Sequence, residues 1–298
     1  MKPLLVAAAL LLAGCSSPAR APQPTAAPSF APTTSATTSP TTPPTAPPTA
    51  PPTAPPTAPP TRAPAYSTWP LGQRRLPLRP DGFGQVRPTP PTLRERRYPT
   101  RDVLPPPPGG RWRSSAGPVT PAIASRLAWR PGCPVALAEL RYVTVSFRGF
   151  DGAAHTGELV VAATEAAGVV SVFRALYAAD FPIEQMRLTS LDELDLPPTG
   201  DGNNTGAYVC RPTTGQSSGF SAHAYGLALD LDPFQNPYVK GDLVLPELAS
   251  SYLDRTWVRP GMVLDGSLAV REFARIGWSW GGDFVTLHDY QHFTATGR

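Results

Sequence analysis

Histidine and cysteine are scarce in this chain, with four and three among 298 residues, and the scarcity narrows the chemistry open to it. The cysteines, Cys15, Cys133 and Cys210, contain no pair at the short CxxC spacing, which argues against a thiolate zinc ribbon or cluster site. Long apolar runs are also missing. The stretch from Leu4 to Leu12 is too short to span a bilayer, where about 20 apolar residues are needed. From residue 15 to residue 65 the chain is almost entirely Pro, Thr, Ala and Ser, so it has little to bury and few backbone donors. No repeating βαβ pattern appears, which argues against a doubly wound parallel sheet.

What is present at the front end sets the compartment. Lys2 followed by the short apolar stretch reads as a signal peptide over residues 1–14. Leu12-Ala13-Gly14-Cys15 resembles a bacterial lipobox, which implies cleavage before Cys15 and lipidation of its sulfur. Residues 15–65, with a PPTA repeat from Pro43 to Thr61, form an extended stalk that advances about 3.1 Å per residue. Residues 66–118 read as an Arg/Pro-rich linker, and residues 119–298 as the folded domain. The expected location is extracytoplasmic, at the outer face of a bacterial membrane through the N-terminal lipid. Nucleic acid is not an expected partner there, and the protein is expected to act as a monomer.

The formal net charge of +4 hides an uneven distribution. Between Tyr66 and Pro118 ten arginines face three acids, Asp81, Glu95 and Asp102. From Val119 onward thirteen Lys or Arg stand against nineteen Asp or Glu, a balance of −6. The strip suits contact with anionic headgroups or wall polymers, or simply solvation as linker charge.

Within the last 180 residues the pattern is that of one α+β domain. Thr120-Pro121 reads as an N-cap followed by proline at the first helical position. Leu140 to Phe147 alternates and is β-branched, which predicts a strand, and Glu158 to Ala163 predicts a second. Val169, Val172, Phe173, Leu176 and Tyr177 share one face of a helix that stops before Pro182. Ser267 to Ile276 predicts another helix, ended by Gly277. In an oxidising compartment Cys133 and Cys210 suit a disulfide; service as zinc ligands is the alternative.

Two segments carry the candidate chemistry. From Leu227 to Asp232 leucines alternate with Ala228, Asp230 and Asp232, so a strand with its leucines in the core carries both aspartates on the other face. His223 lies just upstream, before Gly226. The second segment is Asp289-Tyr290-Gln291-His292-Phe293. His223, Asp230 and His292 give the three protein ligands of a hydrolytic Zn2+ site that keeps a position for water. Asp289 is the candidate general base; on a flat strand it would point away from His292, so the backbone must turn there. His288 is a rival ligand without an acid three residues before it. His155 is left outside the metal, and Asp232 is read as supporting rather than ligating.

The pattern Ser221-x-His223-x-x-Gly226-x-Ala228-x-Asp230, followed by Asp289-x-x-His292, resembles the M15 family of zinc D,D-peptidases. The subgroup ending in D-x-Q-H-F is closer, with Trp280-Gly281-Gly282-Asp283, Asp201-Gly202-Asn203-Asn204-Thr205 and Cys210-Arg211 also similar to it. The likeness runs from about Leu140 to Phe293. It implies His223, Asp230 and His292 as zinc ligands, Asp289 as base, and Arg211 as the group that meets the substrate carbonyl or terminal carboxylate. It also implies a small fold shared with the hedgehog signalling domain, with the zinc site on a central antiparallel sheet. The expected substrate is the peptidoglycan stem peptide, and the expected activity is D-alanyl-D-alanine carboxypeptidase. L-alanyl-D-glutamate-type endopeptidase activity is the alternative, and a non-catalytic zinc-containing wall-binding module the third reading. Thr294 stands where related sequences often carry Glu, which predicts a metal held somewhat less firmly.

Overall fold

The computed structural model describes residues 71–297. The signal peptide, Cys15 and the Pro/Thr-rich stalk lie outside the described residues. No helix among the described residues is long and apolar enough to cross a membrane.

In chain order the regular elements are β1 (Ser114–Pro118), α1 (Pro121–Ala124), β2 (Leu140–Arg148), β3 (Ala154–Ala162) and α2 (Ala166–Ala178). They continue with β4 (Gln185–Met186), α3 (Leu191–Leu194), β5 (Asn204–Thr205), β6 (Ala228–Asp230), β7 (Tyr238–Lys240) and β8 (Leu243–Leu245). The last are α4 (Leu268–Arg275), β9 (Ser279–Trp280), β10 (His288–Asp289) and β11 (His292–Thr294). Three small antiparallel sheets result, ordered β1-β2-β3, β10-β7-β8 and β6-β11-β9, with β4 and β5 as a short parallel pair. The mixed α+β class follows the sequence pattern.

Local signals explain the helices. Thr120 accepts a hydrogen bond from the Ile123 amide at the start of α1. In α2 the buried residues include Val169, Val172, Phe173, Leu176 and Tyr177, the face expected from their spacing. Gly277, at φ 84°, takes the left-handed turn that ends α4. The core forms where α2 covers the inward-facing Val143, Val145 and Phe147 of β2 and joins Leu229, Leu231 and Phe293 of the third sheet. Phe273 of α4 stacks on Phe293 with ring centroids 3.9 Å apart.

The segment read as a linker is folded from residue 71 onward. Leu93 and Tyr98 are buried against Phe234, Leu248, Tyr252 and Met262. Arg96 is buried as well: its guanidinium donates to both carboxylate oxygens of Glu184 at 2.7 Å and to the Asp201 carbonyl at 2.8 Å. β1, at the end of the same segment, pairs with β2 over its whole length. The sequence hides this because the apolar anchors are isolated between arginines and prolines, without helical or strand periodicity. Cys133 and Cys210 are disulfide-bonded, with Cα atoms 5.9 Å apart. Closing a loop 77 residues apart in sequence restricts the unfolded chain by about 4.5 kcal/mol in the loop-entropy account.

Candidate metal centre

β11 pairs with β6 so that His292 lies opposite Asp230 and Phe293 opposite Leu229. Opposed residues of an antiparallel pair leave the same face. The apolar pair therefore enters the core while His292 and Asp230 face a cleft of about 870 Å³. His223 reaches that cleft from a single 3-10 turn, Ala222–Tyr225. Ser221 caps the turn by accepting from the His223 amide, and Gly226 closes it at φ 69°. A Cβ on Gly226 would lie 2.4 Å from the Ala162 amide nitrogen, so glycine is required both for the turn and for the close approach to β3.

The three side chains converge. His223 Nε2 is 3.2 Å from His292 Nδ1 and 3.3 Å from Asp230 Oδ1, and His292 Nδ1 is 3.0 Å from Asp230 Oδ1. Zinc bonded at about 2.0–2.1 Å in tetrahedral geometry has ligand-to-ligand edges of about 3.3 Å. The observed separations match such edges, and both donor types suit zinc. The Nδ1–H of His223 donates to the Ala207 carbonyl at 2.6 Å, so in the neutral ring Nε2 is the lone-pair nitrogen facing the cleft. Among the described residues these three form the cluster suited to a metal.

Charge supports the same reading. Burial opposes ionisation of Asp230, yet the charges and hydrogen bonds of His223 and His292 outweigh it and hold the carboxyl well below the usual carboxylate range. For His292 burial again opposes charge, and Asp230 reverses the balance and raises its pKa, so protons compete with a metal for this nitrogen.

Asp289 belongs to the other small sheet, opposite Tyr238 of β7. The chain turns at residues 290 and 291 between β10 and β11, which brings Asp289 and His292 into the same cleft. The site therefore straddles two three-stranded sheets rather than lying on one central sheet, because that turn transfers the chain from one to the other. Asp289 is half-buried, and its Oδ1 is enclosed without a partner, an orphan acceptor beside the candidate ligands. Its pKa rises from 3.8 to about 6, first through burial and next through the negative charge of Asp230. Arg211 also lines the cleft; it donates to the Pro212 carbonyl at 3.1 Å and Thr214 Oγ1 at 3.2 Å. The adjoining Cys210 pins the backbone there through its disulfide.

Gly281 determines how closely these pieces pack. A Cβ there would come 2.5 Å from the Asp289 carbonyl oxygen and 3.2 Å from His292 Cβ. Gly281→Ala is expected to push Asp289 away from the three candidate ligands, lowering both metal affinity and turnover by about tenfold or more. Zinc titration calorimetry beside kcat/KM checks this; wild-type values in both would remove the packing role.

Other candidates are placed elsewhere. His155 is held between Asp102 at 2.9 Å and Asp151 at 3.2 Å, tying the arginine-rich strip to the β2–β3 hairpin. His288 donates from Nδ1 to the Gly282 carbonyl and stacks on Tyr290. Asp232 does not share a face with Asp230: the strand ends at Asp230, and Asp232 turns inward at φ 41° to accept the Glu184 amide at 3.0 Å. Burial raises its pKa well above the usual range. Trp278 and Trp280 are core residues, whereas Tyr225 lines the cleft. Sequence reasoning missed Tyr238 and Lys240, which alternate on β7 and both face the cleft. One available signal was that Lys240 is the only lysine after Lys2.

Residues 214–295 match the model of a family described as D-alanyl-D-alanine carboxypeptidase. The span takes in His223, Asp230, Asp289 and His292; it begins after Arg211 and is narrower than the likeness expected from Leu140 onward. No curated protein and no solved structure matches the chain. The match supports a peptidase, and the part of this chain that carries the candidate metal centre is similar to the D-alanyl-D-alanine carboxypeptidases.

Proposed function

We propose that the protein is a zinc-dependent peptidase that hydrolyses peptidoglycan stem peptides as a D-alanyl-D-alanine carboxypeptidase. The observation that carries the reading is the His223–Asp230–His292 triad at tetrahedral spacing, with the orphan carboxylate oxygen of Asp289 in the same cleft. A zinc ion held by these three residues supplies Lewis acidity toward the substrate carbonyl and lowers the pKa of water. Asp289 accepts the proton of the attacking water and returns it to the leaving amine. Arg211, whose charge acts on both Asp289 and His292, binds the terminal carboxylate of the peptide. The protein acts as a monomer, tethered through lipidated Cys15 to the outer face of a bacterial membrane.

The test is mass spectrometry of purified muropeptides incubated with the zinc-loaded full chain. Loss of one alanine from pentapeptide stems is expected. Cleavage inside the stem would move the protein to the endopeptidase branch. Stoichiometric zinc without any product would replace the enzyme by a wall-binding module.

A further inference from the structure

We propose that Lys240 is a specificity-determining residue that binds a second, internal carboxylate of the peptide substrate, distinct from the terminal carboxylate; this rests on the peptidase reading above.

The placement of Lys240 carries the argument. β7 pairs with β10 so that Tyr238 lies opposite Asp289, and residues two apart on a strand share a face. Tyr238 and Lys240 accordingly both line the metal cleft, Tyr238 buried beside the base and Lys240 exposed at the mouth. Two strand residues span roughly 7 Å. The Lys240 backbone thus lies one strand repeat along β7 from the Tyr238–Asp289 pair, about the length of two peptide residues.

The charge environment leaves that ammonium available. Lys240 makes no ion pair or hydrogen bond through its side chain among the described residues. Its nearest acid in sequence, Asp242 across the Gly241 turn, is already held by Arg79 through two charge-assisted hydrogen bonds of 3.1 and 3.2 Å. The fold thereby removes the intramolecular partner that Lys240 would otherwise take. The other acids lining the cleft, Asp230, Asp283 and Asp289, make no ion pair with it either.

The choice of residue type points the same way. Histidine aside, every other basic residue among the described residues is arginine, and arginine makes all the pairs with Glu184, Glu158, Asp180, Glu193 and Glu272. Arginine's planar fork suits fixed, bidentate structural pairs; lysine's compact charge on a flexible stem suits a carboxylate that arrives with a mobile peptide. With Arg211 lining the same cleft, the protein presents two cations to a peptide that carries carboxylates both at its end and within its chain.

The test compares two synthetic wall-type pentapeptides ending in D-alanyl-D-alanine, one with its internal carboxylates free and one with them amidated. Both keep the terminal carboxylate, so the contribution of Arg211 cancels. The zinc-loaded full chain is expected to favour the free carboxylate by about tenfold in kcat/KM, the worth of one hydrogen bond to a charged group. In Lys240→Gln that ratio is expected to fall to about one, mainly through KM, and in Lys240→Arg to be largely retained. Lys240 is exposed, so neither variant is expected to impair folding. A wild-type ratio of one, or an unchanged ratio in Lys240→Gln, overturns the inference and leaves the peptidase reading standing. Failure to cleave either peptide overturns both together.

Discussion

Asp289→Asn is expected to reduce kcat by about a thousandfold while leaving zinc bound at one equivalent, since a positioned base contributes roughly 10²–10⁴ in rate. Asparagine keeps the size of the side chain and cannot accept the proton. Asp289 is not one of the three converging donors, so metal content measured by atomic absorption is expected not to change. The stability of the variant provides a second check with a definite sign. The folded-state pKa is raised from 3.8 to about 6, so this group's contribution is fully present below about 4 and is lost as pH rises through about 6. At neutral pH the ionised carboxylate weakens the metal-free fold, and the metal-free variant is expected to melt higher than wild type. For turnover the base must be ionised, so wild-type activity is lost as pH falls through its pKa. The bound cation lowers that pKa, which places the acid limb at or below pH 6. Wild-type turnover in Asp289→Asn would remove the residue from the chemistry.

Arg96→Met is expected to cost about 3–5 kcal/mol, because it leaves the buried carboxylate of Glu184 without its cation. Asn203 still donates to Glu184 at 2.8 Å, but one amide does not replace a bidentate guanidinium. For a domain of this size the loss corresponds to a fall in Tm of about 10 °C. The double variant Arg96→Met with Glu184→Met removes both charges and is expected to recover much of the loss. Arg96 also lies over Phe234, with its guanidinium carbon 4.5 Å from the ring centroid, which the methionine stem partly replaces. Thermal melts of the single and double variants decide the point. A single variant as stable as wild type would return residues 71–118 to the status of a dispensable strap.

The candidate ligands were legible because the information is local. A strand fixes which face each residue takes, and a glycine turn fixes how a histidine folds back, so His223, Asp230 and His292 stand out in one sequence. The helices α2 and α4 were legible for the same reason, through apolar spacing and end signals. The face of Asp232, though not its supporting role, was misread because the strand stops two residues before it, and a backbone at φ 41° leaves no trace in an alternating pattern.

The strip around Arg96 shows the other limit. Its charge and proline content describe a solvated linker, and only contact with residues about ninety or more positions downstream makes it part of the core. By itself the sequence determined which residues are candidate donors, the need for a turn beside Asp289 and the mixed α+β class, all of which follow from residue type at short spacing. Only the tertiary structure decided that two separate sheets share the site, that Cys133 meets Cys210, and that Lys240 faces the cleft with its neighbouring acid already taken. These depend on which distant segments bury one another, and burial is a property of the whole chain rather than of any window along it.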